Sequence, residues 1–146
     1  MITAANVAFA LSIKQPWAAL VIAGVKTIEI RRWPTARRGR ILIHAAGVAD
    51  ERPEAWNHVP ENLRALTEYK GGIIGAVILE ECRSYRDLTE FVSDQAKHFN
   101  EASWFKPPLL YGFRFVDPEI LPFQKFPGWF RFFKVPGAAP NCMSRK

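Results

Sequence analysis

In the stretch Gly24-Val25-Lys26-Thr27-Ile28-Glu29-Ile30-Arg31, an ammonium, a carboxylate and a guanidinium fall close together. If the segment is extended, its side chains alternate: Thr27, Glu29 and Arg31 share one face, Ile28 and Ile30 the other, and Lys26 stands at the entrance. In a partly closed cleft, Arg31 can hold a phosphate or carboxylate with its planar fork, and Glu29 can accept hydrogen bonds from the amino group of a base. Lys26, desolvated beside another cation, can lose its proton and serve as nucleophile or general base. On an open surface the same residues would form only an ion pair worth at most about 1 kcal/mol.

Further candidates lie nearby in the chain. Ser12 and Gln15 offer a hydroxyl and an amide at a helix N-terminus, where backbone N–H groups favour an anion; turn formation and capping are their alternative roles. His44, on a buried strand, is a candidate base or a simple donor to a backbone carbonyl. From Lys26 to Arg40 there are six bases against Glu29 alone, so Arg37, Arg38 and Arg40 are candidate phosphate contacts. Trp33, Trp104, Tyr111 and Trp129 lie near basic residues and are candidates to stack on bases, each stack contributing about 1–3 kcal/mol, and of these Trp33 and Trp104 are the candidate cleft walls. Trp17 reads as core. His58 and His98 show no ligand spacing, and neither do Cys82 and Cys142, so no metal and no cofactor is expected.

The elements that must position these groups are legible around them. Pro16 suits the first position of a helix and Gly24 its left-handed C-terminal cap, which implies a helix from about Gln15 to Ala23. Trp17, Leu20, Val21 and Gly24 would form its core-facing stripe. Strands are expected at Phe9–Ile13, Thr27–Arg32 and Ile41–Ala45, and at Ile73–Glu80, whose unbroken β-branched apolar run reads as a central strand. Arg52–Trp56 reads as a short helix, Pro60 opens a second, and Asp87 with Glu90 three residues on caps a third. Strand-like segments around Leu110–Val116, Ile120–Phe126 and Trp129–Val135 are interrupted by Pro118, Pro122 and Pro127, so they should be short, bent or at edges. Residues 136–146 read as a poorly ordered tail. The pattern gives an α+β barrel in a single domain, residues 1–146.

Composition bounds the function. The 146 residues are 49% hydrophobic and 13% aromatic, enough for one packed core. No apolar run is long enough to cross a membrane and no signal peptide is apparent, so a cytoplasmic protein is expected. The charge of +6 is unevenly spread: residues 50–101 hold eleven of the fourteen acids against six bases, leaving −5 in the middle and +11 on the flanks. Such asymmetry suggests a basic face for a polyanion.

Gly24, Lys26, Glu29 and Arg31, preceded by the lead-in Ser12 to Trp17, resemble the GxKxxExR signature of the ASCH family, the activating-signal-cointegrator homology domains. The resemblance implies a PUA-like β-barrel of about five to seven short strands with flanking helices, and a cleft for single-stranded RNA or a nucleoside-like small molecule. Ser12, Gln15, Lys26, Glu29, Arg31, Trp33, Arg37, Arg38, Arg40, His44 and Trp104 would then contact the ligand. Some small members of the family are amidohydrolases that deacetylate N4-acetylcytidine, using the motif lysine beside a threonine and a later glutamate. Lys26 corresponds to that lysine, Glu29 holds the threonine's place, and the later acid is Glu80 or Glu81. The alternative function is therefore a hydrolase, either such an amidohydrolase or a ribonuclease, with Lys26 reactive and Glu29 its partner. A further alternative is a transcription-related adaptor that binds a protein partner through the aromatic segment Trp104–Pro108. Oligomeric state is left open.

Overall fold

The computed structural model describes residues 7–136. The tail expected at 136–146 therefore falls almost wholly outside the described residues, and Pro136 itself ends a strand. Six strands, β1 (Val7–Ile13), β2 (Ile28–Arg31), β3 (Gly39–Ala45), β4 (Gly72–Tyr85), β5 (Leu110–Lys125) and β6 (Phe132–Pro136), form one curled sheet in the order β2-β5-β4-β3-β1-β6. Only β1 and β3 pair in parallel. The expected α+β class and barrel-like architecture are both present.

The helix α1 (Trp17–Ile22) is the inner element on which the sheet folds. Its six residues are all buried, and it packs against β1, β3, β4 and β5. The single core-facing stripe expected from sequence is thus too narrow: WAALVI is apolar all round, as suits a helix enclosed on every side. The helix also begins two residues later and ends one residue sooner than expected, with Pro16 at the N-cap rather than in the first turn. Gly24 at φ +81° makes the left-handed turn after it.

The apolar residues of the sheet separate by strand alternation into two clusters. Leu11, Ile41, Ile43, Ile74 and Val77 join α1, whereas Ala10, Leu42, Ile73, Ala76 and Leu121 pack on the other face with Phe133 and Val135 of β6. Where β2 and β6 do not pair, side chains bridge the gap. Trp33 lies edge-on to Phe113 of β5 and to Phe132 of β6, with centroids 5.1 and 5.6 Å apart.

Three expectations need correction. The helix opened by Pro60 is instead two 3₁₀ turns, Glu61–Leu63 and Ala65–Glu68. The central strand is longer than expected, running on to Tyr85. The segments Leu110–Val116 and Ile120–Phe126 are one strand, β5, which passes through Pro118 and Pro122 because both sit at shifts in its register with β4. Bulges are where a sheet tolerates a missing N–H. The Asp87 cap is present: its carboxylate accepts from Glu90 N–H at 2.9 Å and starts the helix α2 (Leu88–Ser93).

Candidate functional site

The turn after α1 determines where Lys26 points. The Leu20 carbonyl accepts from both Val25 and Lys26 N–H at 3.0 Å, and the chain then enters β2. This swings the Lys26 side chain inward, where only 2% of the residue is exposed. Its Nζ donates to the His98 carbonyl, lies 3.5 Å from Glu29 Oε1 and stands 4.8 Å from the Trp17 ring centroid. Burial disfavours the charged form more than Glu29 supports it, and the amine is lowered from 10.5 to about 8.

Two residues along β2, on the same face, the Arg31 guanidinium closes the arrangement. Its Nη2 donates to Glu29 Oε2 at 3.0 Å and to the Ser12 carbonyl at 2.9 Å. Arg31 Nε is buried and, among the described residues, without a partner. The Glu29 carboxylate is therefore clamped between an amine and a guanidinium.

Lys26, Glu29 and Arg31 line one wall of a cavity of about 710 Å³. Its other walls include Ser12, Trp17, Trp33, Asp50, Arg52 and Trp104, with Lys14, Arg32 and Lys106 at the exposed rim. A volume of this order suits a ligand the size of a nucleoside or nucleotide. The far wall is held by a polar relay. Trp17 Nε1 donates to Asp50 Oδ2 at 2.8 Å, Arg52 donates to both Asp50 oxygens, and the Arg52 guanidinium stacks 3.6 Å above the Trp104 ring. Burial works against the Asp50 charge, but the hydrogen bonds from Arg52 and Trp17 outweigh it and lower the carboxyl to about 2.

The structure brings Ser12, Lys26, Glu29, Arg31, Trp33 and Trp104 together and separates the other candidates from them. Gln15 is fully buried and internally satisfied: Oε1 accepts from Ala19 N–H, and Nε2 donates to the Leu66 and Tyr69 carbonyls. It braces α1 and does not line the cavity. His44 faces a neighbouring hollow, where Nε2–H donates to the Phe126 carbonyl at 2.7 Å and Nδ1 accepts from Ser12 Oγ at 2.9 Å. Desolvation lowers its pKa, which favours this neutral form. Arg37 stacks 3.7 Å above the Phe9 ring, Arg38 folds back onto the Thr35 and Arg37 carbonyls, and Arg40 pairs with Glu119 at 3.1 Å. None of these three arginines lines the cavity.

Neither Glu80 nor Glu81 reaches the cavity. Both carboxylates bind Arg114, and Glu81 also binds Arg83. The residues that the sequence reading missed are Asp50 and Arg52, together with Lys14, Arg32, Asn100, Ser103 and Lys106. Asp50 and Arg52 lie in the acidic middle segment, and only their two-residue spacing after β3 hinted at a pair. Within the segment Trp104–Pro108, Trp104 and Phe105 are part-buried and Lys106, Pro107 and Pro108 are exposed. Among the described residues, no cluster of His, Cys, Asp or Glu is placed to hold a metal, and no helix is long and apolar enough to cross a membrane.

Comparison with known proteins agrees with this fold. The family model described as ASCH domain matches residues 11–118. The chain is 33% identical over 93 residues to activating signal cointegrator 1 of Homo sapiens, and equally to that of Mus musculus. The match covers 58% of this chain but only 16% of those proteins. Among solved structures it is similar to the ASCH protein of Zymomonas mobilis, with a TM-score of 0.64 at 16% identity, covering 94% of this chain and 93% of that one. A single-residue mutant of the same protein superposes with a TM-score of 0.65 at 17% identity, over 93% and 96% of the two chains. At such identities these structures speak for the fold alone.

Proposed function

The chain belongs to the ASCH domain family, and on that premise we propose that it binds RNA, or a modified nucleoside, in the cavity walled by Lys26, Glu29 and Arg31. The observation that carries the reading is the clamped Glu29 carboxylate on one wall, with Trp17, Trp33 and Trp104 on the others. A carboxylate fixed by two cations is a directional acceptor for the amino group of a base. Arg31, with Nε unmatched, is a ready donor to a ribose or phosphate oxygen. Tryptophan supplies the flat apolar surface that a base ring needs. Unstacked nucleotides enter such a cleft and a duplex does not, so single-stranded or looped RNA is the macromolecular ligand of choice.

The test is titration of the protein with N4-acetylcytidine, cytidine and a short single-stranded RNA, followed by tryptophan fluorescence, alongside Arg31→Met. Saturable quenching that weakens at least tenfold in the variant supports the site. Equal affinity in both proteins, or no binding of any of the three, removes it.

A second reading, a hydrolase acting on an acylated cytidine or on RNA itself, is favoured by one observation. Lys26 is buried and, with its amine at about 8, about a tenth of it is neutral at pH 7. A neutral amine facing a cavity is a competent nucleophile or base. Mass spectrometry of N4-acetylcytidine and RNA after incubation decides it: deacetylated or shortened product that disappears in Lys26→Ala supports catalysis, and unchanged substrates count against it.

A further inference from the structure

Between β5 and β6 the chain crosses over as Pro127-Gly128-Trp129-Phe130-Arg131, and Trp129 and Phe130 are each 74% exposed. Among the described residues no other ring packs on either of them. Two adjacent large aromatics left open to water, on a protein whose other rings are largely packed, mark an interaction surface.

Both ends of this crossover are anchored on residues that line the cavity. At one end the Gly128 backbone lies so close to the Ser12–His44 pair that an added β-carbon would stand 2.8 Å from the His44 ring and 3.4 Å from Ser12 Oγ. At the other end Arg131, held at φ +54°, places its guanidinium 4.9 Å from the centre of the Trp33 ring. Ser12 and Trp33 both line the cavity. The exposed pair therefore sits on a segment whose two ends touch residues of the cavity wall, Ser12 and Trp33.

The charge around it chooses among partners. From Ile120 to Pro136 the chain carries Lys125, Arg131 and Lys134 and no acid, and Arg32 and Arg37 stand on the adjoining segment. Cations interleaved with exposed rings fit a polyanion whose flat groups can stack. An acidic peptide would satisfy the charges and leave the rings without flat partners. A duplex keeps its bases stacked on one another and would do the same.

We propose that Trp129 and Phe130 form a stacking platform for single-stranded RNA, holding bases next to a nucleotide that occupies the cavity. The inference rests on the reading of the cavity as a nucleotide site, and it extends the contact surface beyond it. Its test uses two probes on the full chain: a fluorescein-labelled twelve-nucleotide single-stranded RNA read by anisotropy, and free N4-acetylcytidine read by tryptophan fluorescence. Trp129→Ala/Phe130→Ala should bind the RNA at least tenfold more weakly and bind the nucleoside as the parent does, and Trp129→Phe should recover most of the RNA affinity. Because both side chains are exposed, the thermal midpoint should not move.

If the parent binds RNA but not the nucleoside, and the double variant still weakens RNA, the platform stands and the cavity reading fails. Unchanged RNA affinity in the double variant, or no RNA binding by the parent, overturns the platform. Unchanged RNA affinity with loss of a concentration-dependent dimer in sedimentation also overturns it, and assigns the rings to a second copy of the chain.

Discussion

Lys26 is the residue on which the site turns, and its burial has a consequence for stability. In the unfolded chain the amine holds its proton up to about 10.5, whereas in the folded protein it releases it near 8. Between those values the unfolded chain binds more protons, so stability rises with pH across that window, by roughly 3 kcal/mol at most. Lys26→Met removes the buried charge and leaves Glu29 paired with Arg31, so it should be at least as stable as the parent at pH 7 and lack the alkaline rise. Urea midpoints at pH 7 and pH 9.5 read this directly, and parallel rises in both proteins would dismiss Lys26 as the cause. Asp50 gives the same sign of slope at acid pH, with the charged form now the favoured one. With its carboxyl lowered from 3.8 to about 2, the stability it contributes is complete above the higher value and is lost as pH falls through the lower one. Its partner Arg52 is half exposed, so Asp50→Asn should cost about 1–2 kcal/mol at neutral pH and shallow the acid transition. An unchanged acid midpoint would show that Trp17 and Arg52 do not depend on that charge.

At the scale of elements, the contact between α1 and the β4–β5 pair leaves no spare volume. A β-carbon on Gly75 would stand 2.5 Å from both the Glu119 carbonyl of β5 and Ile22 of α1, and one of its neighbours there is backbone. Gly75→Ala should therefore destabilise the protein by about 1–3 kcal/mol, read as a lower denaturant midpoint with unchanged slope. A neutral result would mean that α1 sits more loosely on the sheet than its full burial implies. This packing explains what the sequence made legible. β2 and the shared face of Glu29 and Arg31 follow from period-two alternation, and the Asp87–Glu90 cap from its spacing, because both are local. β5 was read as two strands because Pro118 and Pro122 look like breakers. They are accommodated by register shifts against β4, and only the paired strand reveals those. Gln15 and His44 are candidate ligand contacts by their place in the sequence, and of the alternatives open to them His44 takes the one of a donor to a backbone carbonyl. Their partners, the Leu66, Tyr69 and Phe126 carbonyls, lie 51 to 82 residues away in sequence. The bond from the Trp17 indole to Asp50 was hidden for the same reason.

Across the whole molecule, the uneven charge of the sequence resolves into a pattern of pairing. Five of the eleven acids of the middle segment are held in ion pairs, in Asp50–Arg52, Glu61–Arg64 and the Glu80, Glu81, Arg83, Asp94 and Arg114 network. By contrast Lys14, Arg32 and Lys106, exposed at the cavity rim, form no ion pair among the described residues. Unpaired cations at a cavity mouth leave positive potential where a nucleic acid backbone would pass. Each phosphate contacted on a single strand contributes a slope of about −0.7 in the log of affinity against the log of salt, so three rim contacts predict roughly a twentyfold loss between 50 and 200 mM salt. Lys106→Ala and Arg32→Ala should each flatten that slope by about 0.7 while leaving binding of an uncharged nucleoside unchanged. Titrations of single-stranded RNA at several salt concentrations measure it. An affinity for RNA that does not respond to salt would rule out the basic rim as a phosphate surface and confine recognition to the cavity itself.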